Sequence, residues 1–326
     1  MRRIIFITTI LMVGLIALLL FSLKCGILEC SYSDAVKALT ASGDFPAFLI
    51  RELRLPRTLL SILSGMGFAV SGVILQKVLH NELAAPDILG ISGGAGCAGL
   101  ILLIYFPLFS RFLGIAAFGG AMLAAMLICL AAWSRTLSPV RLILSGVALG
   151  ALFSTACGAV IFCNSDKLTG VMEFTFGGFS GKNMTTVRQT LPFFAVTLIL
   201  TLFLPCKLEL LSLGKDEARS LGLAVERARL LALITAALAA ATAVSAAGLL
   251  GFVGLISPHI AGALLKTRRS GVLLVNSALA GAILTLGGDL LGRTVLAPRE
   301  LPCGLFLSGA GALFFLILLL KNREEI

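Results

Sequence analysis

The chain has 326 residues, of which 58% are hydrophobic and 13% are charged, and its mean hydropathy is +1.05. This composition excludes an ordinary soluble domain of the same length. The formal net charge of +10 is therefore assigned to membrane orientation and docking patches, not to nucleic-acid binding.

Uncharged runs long enough to cross a bilayer, which takes about 20 residues, recur through the chain. They occupy 4–23, 58–76, 88–110, 112–134, 142–165, 189–206, 230–265, 270–288 and 301–320. The run 230–265 is too long for one span at about 1.5 Å per helical residue, and Gly248, Gly251 and Gly254 divide it into two. The sequence therefore predicts an all-α polytopic membrane protein: one transmembrane domain, 1–326, with ten transmembrane helices and an outer loop at 24–57.

The orientation follows from the first span and from the basic residues. The first apolar run is longer than a signal-peptide core, and no small-residue cleavage pattern follows it in CGILEC. Ten spans place both termini on one side, and the Lys and Arg count favours the cytoplasm by a modest margin. We expect a multi-pass membrane protein with both termini in the cytoplasm.

The segment 207–229 is the most charged stretch between two spans. Asp216 is predicted to cap a short helix, and Glu217 to lie near its positive end. Gly222 is a suitable residue to stop that helix in a left-handed conformation. The pattern indicates a helical hairpin in water, which is either a docking surface or a plain connecting loop.

Arginines cluster near the predicted outer ends of two spans. Arg51, Arg54 and Arg57 precede or open the second span, with Pro56 in its first turn. Asp289 and Arg293 are four residues apart and are placed to pair. Snorkelling of the arginines to lipid headgroups is the alternative interpretation.

The fifth span carries a stripe of small and hydroxyl residues: Gly146, Gly150, Ser154 and Thr155. Such a face fits a pore lining and a helix–helix interface equally well.

No catalytic, metal or nucleotide site is predicted in this chain. The eight cysteines have no CxxC spacing, although Cys25 and Cys30 are close enough to pair. His259 is interpreted as a packing residue because no carboxylate partner is near it in sequence. Gly214-Lys215 lacks the flanking Gly and Ser or Thr of a P-loop.

A secondary transporter remains the alternative function, although the spans carry no mid-membrane carboxylate for ion coupling. An intramembrane enzyme is disfavoured, because the spans carry no catalytic set.

Several motifs together carry a family resemblance. They are RLPR at 54–57, SGVILQ at 71–76, NELAAPDILGIS at 81–92, LSGVALG at 144–150, LLSLGKDEARSLGL at 210–223, GFVGLISPHI at 251–260, GDLLGR at 288–293 and ELPCG at 300–304. In this order and spacing the chain resembles the iron-complex type ABC-transporter permeases, which import siderophores, haem and vitamin B12. The chain departs from the family pattern at Glu82, which stands in place of Pro, and at Lys266–Arg269, which stand in place of Gly-Asp-His-Arg.

The resemblance implies the assembly and the site residues. It implies a homodimer or paired permease with the pore at the dimer axis, two ATPase subunits that bind ATP-Mg on the cytoplasmic face, and a substrate-binding protein outside. No cofactor is expected in this chain. ATPase coupling is expected at Lys215, Asp216, Glu217, Arg219, Leu221 and Gly222, and binding-protein docking at Arg54, Arg57 and Arg293. The pore wall is expected on the fifth and last spans, at Gly146, Gly150, Ser154 and Thr155.

Overall fold

The computed structural model describes residues 2–26, 45–133, 138–164 and 171–322, and every regular element in these ranges is helical. The α-helices are α1 (Arg2–Lys24), α2 (Phe45–Leu49), α3 (Leu55–Leu79), α4 (Ile91–Tyr105), α5 (Leu113–Ala132), α6 (Pro139–Phe162), α7 (Val171–Phe176), α8 (Met184–Leu202), α9 (Pro205–Ser212), α10 (Lys215–Ser220), α11 (Val225–Ala247), α12 (Val253–Leu265), α13 (Ser270–Thr294) and α14 (Cys303–Asn322). A π-helical segment, Ile50–Arg54, joins α2 to α3, and a 3-10 helix, Pro107–Phe112, precedes α5.

Seven helical stretches in the described part of the chain are long and apolar enough to cross a membrane. They are α1, α2 with α3, α5 with its 3-10 turn, α6, α8, α11 and α13. Three shorter apolar helices, α4, α12 and α14, stand where the sequence predicts three further spans. The predicted division of 230–265 is confirmed, because α11 ends at Ala247 and Gly248 takes a positive φ of 76°.

Two local predictions differ from the structure. The second half of the predicted loop 24–57 is helical from Phe45 onward, so that Arg51, Arg54 and Arg57 all lie on helical turns. The predicted span 88–110 is shortened to α4 because the helix stops at Tyr105 before Pro107. The proposed pairing of Cys25 with Cys30 lies outside the described residues, since it involves Cys30.

The core is built where small residues let helices approach closely. Thr285 of α13 donates to the Ser61 carbonyl of α3 at 2.8 Å, and a Cβ built on Gly65 would overlap the Gly281 backbone. A Cβ on Gly72 would likewise overlap the Gly254 carbonyl of α12. Helix packing in a membrane depends on such close backbone contact. The helices α3, α11 and α13 therefore form the buried centre, while α1 and α6 expose most of their surface.

The two ends of α13 define the geometry of the candidate sites. Ser270, its first residue, contacts the segment 205–224, which we call the hairpin. Asp289 and Arg293, in its last turns, belong to a group of charged residues described below. At about 1.5 Å per residue, the 25 residues of α13 separate these two ends by roughly 37 Å.

Candidate functional sites

The hairpin consists of α9, α10 and the turn before α11. Its inner face is anchored: Leu208, Leu211 and Ala218 are buried. The Glu209 Oε1 atom accepts a hydrogen bond from the Ser270 backbone N–H at 3.1 Å, and the His80 Nε2 atom lies 3.0 Å from the Leu211 carbonyl oxygen. These contacts attach the hairpin to the beginning of α13 and to the end of α3.

The outer face of the hairpin is exposed. Asp216, Glu217 and Arg219 are on the surface, and Leu221 is 61% exposed at the tip. The Lys215 ammonium lies 3.9 Å from the Glu226 carboxylate in a half-exposed pair, which contributes little stability. The predicted coupling residues are therefore brought together on one exposed surface.

The turn after α10 is closed as the sequence predicts. Gly222 has a φ of +82°, the Leu223 N–H donates to the Ala218 carbonyl at 3.0 Å, and the Gly222 N–H donates to the Arg219 carbonyl at 2.9 Å. This pair of bonds is a Schellman motif.

The predicted cap at Asp216 is wrong. The residue before α10 is Gly214, at φ +112°, and no side chain caps the helix. Gly214 adopts a conformation closed to most residues, and the helix begins at Lys215, two positions earlier than a cap at Asp216 would place it. Asp216 and Glu217 then fall in its first turn.

A cavity of about 590 Å³ lies where the turns before α4 and α12 meet α6, α7 and α14. Its walls are formed by Asp87, Ile88, Gly90, Ser92, Gly93, Val147, Gly150, Ala151, Ser154, Thr175, Phe176, Leu249, Leu250, Gly251, Gly304, Leu305 and Ser308. Most of these side chains are small or carry a single hydroxyl. Such walls leave room for a wide, weakly held ligand.

Two of the four predicted pore residues line this cavity and two do not. Gly150 and Ser154 face it. Gly146 is buried against Leu89, one turn earlier on the same face of α6. Thr155 is exposed on the adjacent face, and its hydroxyl donates to the Ala151 carbonyl at 2.9 Å.

Asp87 is the charged residue in the cavity wall, and it was not among the site residues predicted from the sequence. Its Oδ2 atom accepts a hydrogen bond from the Phe252 N–H at 3.3 Å, at the residue that precedes α12. Burial raises the pKa of the Asp87 carboxyl, and backbone N–H donors, including that of Phe252, oppose the rise. Asp87 thus ties the turn before α4 to the turn before α12.

The arginine cluster, defined here as Arg57, Asp289, Arg293 and Glu300, lies at the other end of α13. Arg57 donates from Nε to both Asp289 oxygens, at 2.9 and 3.1 Å, and its Nη2 atom is 2.8 Å from Asp289 Oδ1. Its Nη1 atom donates to Glu300 Oε2 at 2.8 Å. Arg293 pairs with Asp289 at 3.0 Å, as the spacing of four residues predicts, and donates to Ser22 Oγ at 2.7 Å.

Arg54 lies outside this ion-pair group but is also buried. Its Nη1 atom donates to the Leu23 and Lys24 carbonyl oxygens at 2.8 and 2.7 Å, at the end of α1. Arg54 and Arg293 are 8% and 6% exposed, respectively. The three arginines are thus on helices that meet at one end of the molecule, and each has partners within the chain; their docking role stays a prediction.

His259 has a carboxylate near it, contrary to the sequence-based interpretation. Its Nε2 atom lies 3.9 Å from Glu82 Oε2, and its Nδ1 atom is 2.8 Å from the Leu255 carbonyl oxygen. The Phe314 ring packs edge-on against the imidazole. The Glu82 contact could not be seen in the sequence, because Glu82 and His259 are far apart along the chain.

The fold and these sites define a class: a polytopic helical membrane protein with a small-residue cavity and an exposed helical hairpin. The chain belongs to the FecCD transport family, whose model matches residues 14–321. It is 36% identical to the Fe(3+)-citrate import system permease protein YfmE of Bacillus subtilis, over 95% of this chain and 93% of that protein. It is 35% identical to the hemin transport system permease protein HmuU of Yersinia pestis, over 97% of this chain and 95% of that protein.

A solved structure has the same fold. A metal-chelate type ABC transporter in an inward-facing conformation matches with a TM-score of 0.85 and 28% identity, over 97% of this chain and 99% of that one. The predicted family is confirmed by both kinds of comparison.

Proposed function

We propose that this chain is the transmembrane subunit of an ATP-driven importer for an iron chelate such as ferric citrate, a ferric hydroxamate or haem. The observation that carries the proposal is the family match over nearly the whole chain, among relatives whose names specify iron-citrate, hydroxamate and hemin permeases. A cobalamin-like chelate belongs to the same chemical class of bulky metal complexes. ATP hydrolysis belongs to separate subunits, and the chain itself needs no cofactor.

The proposal includes ten spans with both termini in the cytoplasm. Seven long apolar helices and the three shorter ones, α4, α12 and α14, supply this number. With the termini inside, the hairpin lies in the cytoplasm and the arginine cluster on the outer face. The distance along α13 between the two sites agrees with the roughly 30 Å thickness of a bilayer core.

The proposal places a second copy of the chain, or a paired permease, against α6 and α14. These helices expose large apolar residues beside the cavity, including Leu144, Leu152, Leu313 and Ile317. The cavity is bounded by Gly150 and Ser154 on one helix and by Leu305 and Ser308 on the other. Two such half-walls facing each other would enclose a pore on the dimer axis, with Thr155 near the seam.

The hairpin is the proposed ATPase contact. Its inner face is held by Glu209 and His80, so that a force on the exposed face is carried to α13 and α3. Lys215, Asp216, Glu217, Arg219 and Leu221 form the contact surface, with Gly222 holding the turn. A plain connecting loop would require neither the anchoring bonds nor the closed turn.

The outer arginines are the proposed contact for a substrate-binding protein. Guanidinium groups hold carboxylates in bidentate geometry and stay charged. The Arg57 side chain is 12% exposed. Reversing its charge would place a third carboxylate beside Asp289 and Glu300, so that such a variant tests folding as much as docking.

An uptake experiment tests the function. The permease is produced with its ATPase subunit and substrate-binding protein, reconstituted in proteoliposomes, and supplied with labelled ferric citrate, ferric hydroxamate, hemin or cobalamin. We expect uptake of one of the iron chelates only with ATP inside. Uptake that is independent of ATP and is abolished by an ionophore would support a secondary transporter.

A further inference from the structure

The two edges of the Arg57 guanidinium face different environments. The edge formed by Nε and Nη2 binds Asp289, whose side chain is 1% exposed. The remaining Nη1 atom binds Glu300, whose side chain is 30% exposed. One edge is therefore sealed inside the protein, and the other opens toward the surface.

Asp289 cannot leave its position at low cost. It is shared between Arg57 and Arg293, and Arg293 is in turn held by Ser22, whose hydroxyl lies 2.9 Å from that of Thr58. Removing one partner of a buried ion pair leaves the other charge uncompensated. Asp289 is a fixed positioning residue, which sets the orientation of the Arg57 plane.

Glu300 has the opposite properties. It lies in the irregular segment between α13 and α14, and its ion pair to Arg57 is a single contact at 2.8 Å near the surface. Exposed pairs of this kind are weak because water and salt compete for both groups. The positive charges of the two arginines equal the negative charges of the two carboxylates in the cluster. When Glu300 moves away, the cluster is left with one net positive charge that faces outward.

We propose that Glu300 is a displaceable internal ligand of Arg57, occupying the guanidinium atom that a carboxylate of the docking protein takes on binding. The inference rests on the proposed docking of a binding protein at this face. The incoming carboxylate replaces the Glu300 carboxylate, which carries the same charge. The net binding free energy gained at this contact is therefore small, and the two carboxylates can exchange. Asp289 holds Arg57 in place during the exchange.

The exchange has a route to the cavity. The Leu301 N–H donates to the Gly292 carbonyl at 3.0 Å, and three residues later Gly304 and Leu305 begin the α14 wall of the cavity. Releasing Glu300 removes the ion pair that holds this segment to Arg57 at the start of α3. Docking would thereby loosen the chain just ahead of a pore-lining helix.

The test compares Glu300→Gln with Glu173→Gln. Glu173 is on α7 at the same end of the molecule, close enough that Arg57 and Glu300 both influence its pKa, which burial raises. The Arg57 ion pairs in the described part of the chain are to Asp289 and Glu300, not to Glu173. Both variants thus remove one negative charge from the same end of the molecule. Only Glu300→Gln also removes the carboxylate that binds the Arg57 Nη1 atom.

Docking is measured by surface plasmon resonance between the permease–ATPase complex in nanodiscs and the substrate-binding protein that supports uptake in the proteoliposome experiment. We expect Glu300→Gln to increase the affinity about 1.5- to 5-fold and Glu173→Gln to change it less. Hydrogen exchange at 295–302 should become faster in the Glu300→Gln variant without the partner.

The outcomes separate the inference from the function on which it rests. Unchanged or weaker docking in Glu300→Gln, with wild-type docking intact, overturns the inference and leaves the importer assignment standing. An equal gain in both variants also overturns it, because net charge alone then explains the effect. Absence of docking by the wild type would overturn the proposed contact itself.

Discussion

The two charged ends of α13 use their charges in opposite ways. In the arginine cluster, Arg57, Asp289 and Arg293 are nearly inaccessible and are joined by ion pairs of 2.8 to 3.0 Å. In the hairpin, Asp216, Glu217 and Arg219 stay on the surface, and what is buried is the apolar inner face. The cluster therefore contributes mainly to the fold, with one exchangeable position, whereas the hairpin presents its charges outward.

The difference follows from the cost of burying charge. A buried charge must be paired and hydrogen-bonded, whereas an exposed charge needs no partner. The hairpin can therefore change the exposed charged residues of its outer face, such as Asp216, Glu217 and Arg219, with little effect on folding. The cluster cannot, and this contrast is open to direct tests by matched substitutions.

The largest expected effect is that of Asp289→Asn. The variant leaves two guanidinium groups without their shared carboxylate, at a site where the side chain is 1% exposed. Loss of one member of a buried pair costs about 3–5 kcal/mol. We expect a strongly lowered Tm in detergent, or failure to accumulate in the membrane, measured by fluorescence-detected size exclusion after heating.

Asp216→Asn is the matched control for this prediction. It makes the same chemical change on an exposed residue at the other end of α13. Its Tm should equal that of the wild type. Equal destabilisation by the two variants would mean that the two ends do not differ as the structure indicates.

Gly222→Val is expected to have the next largest effect, on function rather than folding. A Cβ at Gly222 has open space, but the φ of +82° is costly for a β-branched residue, at about 1–2 kcal/mol. The tip of the hairpin should change shape while the spans insert normally. We expect reduced co-purification with the ATPase, or ATP hydrolysis that no longer drives uptake.

Gly222→Asn separates shape from side-chain identity. Asparagine tolerates the left-handed conformation better than valine does, so that this variant should retain ATPase binding and uptake. Normal coupling in Gly222→Val would remove the hairpin tip from the proposed contact. Equal loss in both variants would indicate that any side chain at this position blocks the partner.

Structural features that are set by residues close together along the chain could be predicted from the sequence. Composition and run length predicted the seven long apolar helices of the described residues, Gly248 marked the break between α11 and α12, and Gly222 marked the end of α10. The pairing of Asp289 with Arg293 followed from their spacing of four residues on one helix. Each of these features is set by local backbone geometry.

Contacts between distant segments were not predictable in this way. Arg57 and Asp289 are 232 positions apart, and Arg57 and Glu300 are 243 apart. The family resemblance implied that Arg54, Arg57 and Arg293 dock on a binding protein, and residue spacing indicated an acidic partner within the chain only for Arg293. The position of the small-residue stripe depends on a distant segment in the same way: Gly146 and Gly150 share a face of α6, but Leu89 covers Gly146, whereas Gly150 lines the cavity. The role of these residues in a pore stays a prediction.

A smaller effect, on the rate of cysteine labelling, is expected at the cavity wall, which lies between the two ends of α13. In a background without the native cysteines, Ser154→Cys should react with a water-soluble maleimide at a rate that changes with the nucleotide bound to the ATPase. Gly146→Cys should not react, because Leu89 covers that position. Labelling is read by mass spectrometry. Reaction at Gly146→Cys but not at Ser154→Cys would place the water-filled path elsewhere.

The smallest expected effect concerns Glu82 and His259, near the hairpin end. Their atoms are 3.9 Å apart, and the Glu82 side chain is 87% exposed, so that solvent screens most of their attraction. A double-mutant cycle with Glu82→Gln and His259→Gln should give a coupling free energy below about 1 kcal/mol. His259→Gln alone should cost more, since it removes the Leu255 hydrogen bond and the Phe314 contact. A coupling energy near that of the Arg57–Asp289 pair, from the same thermal measurements, would contradict the contrast between the two ends, because an exposed pair would then match a buried one.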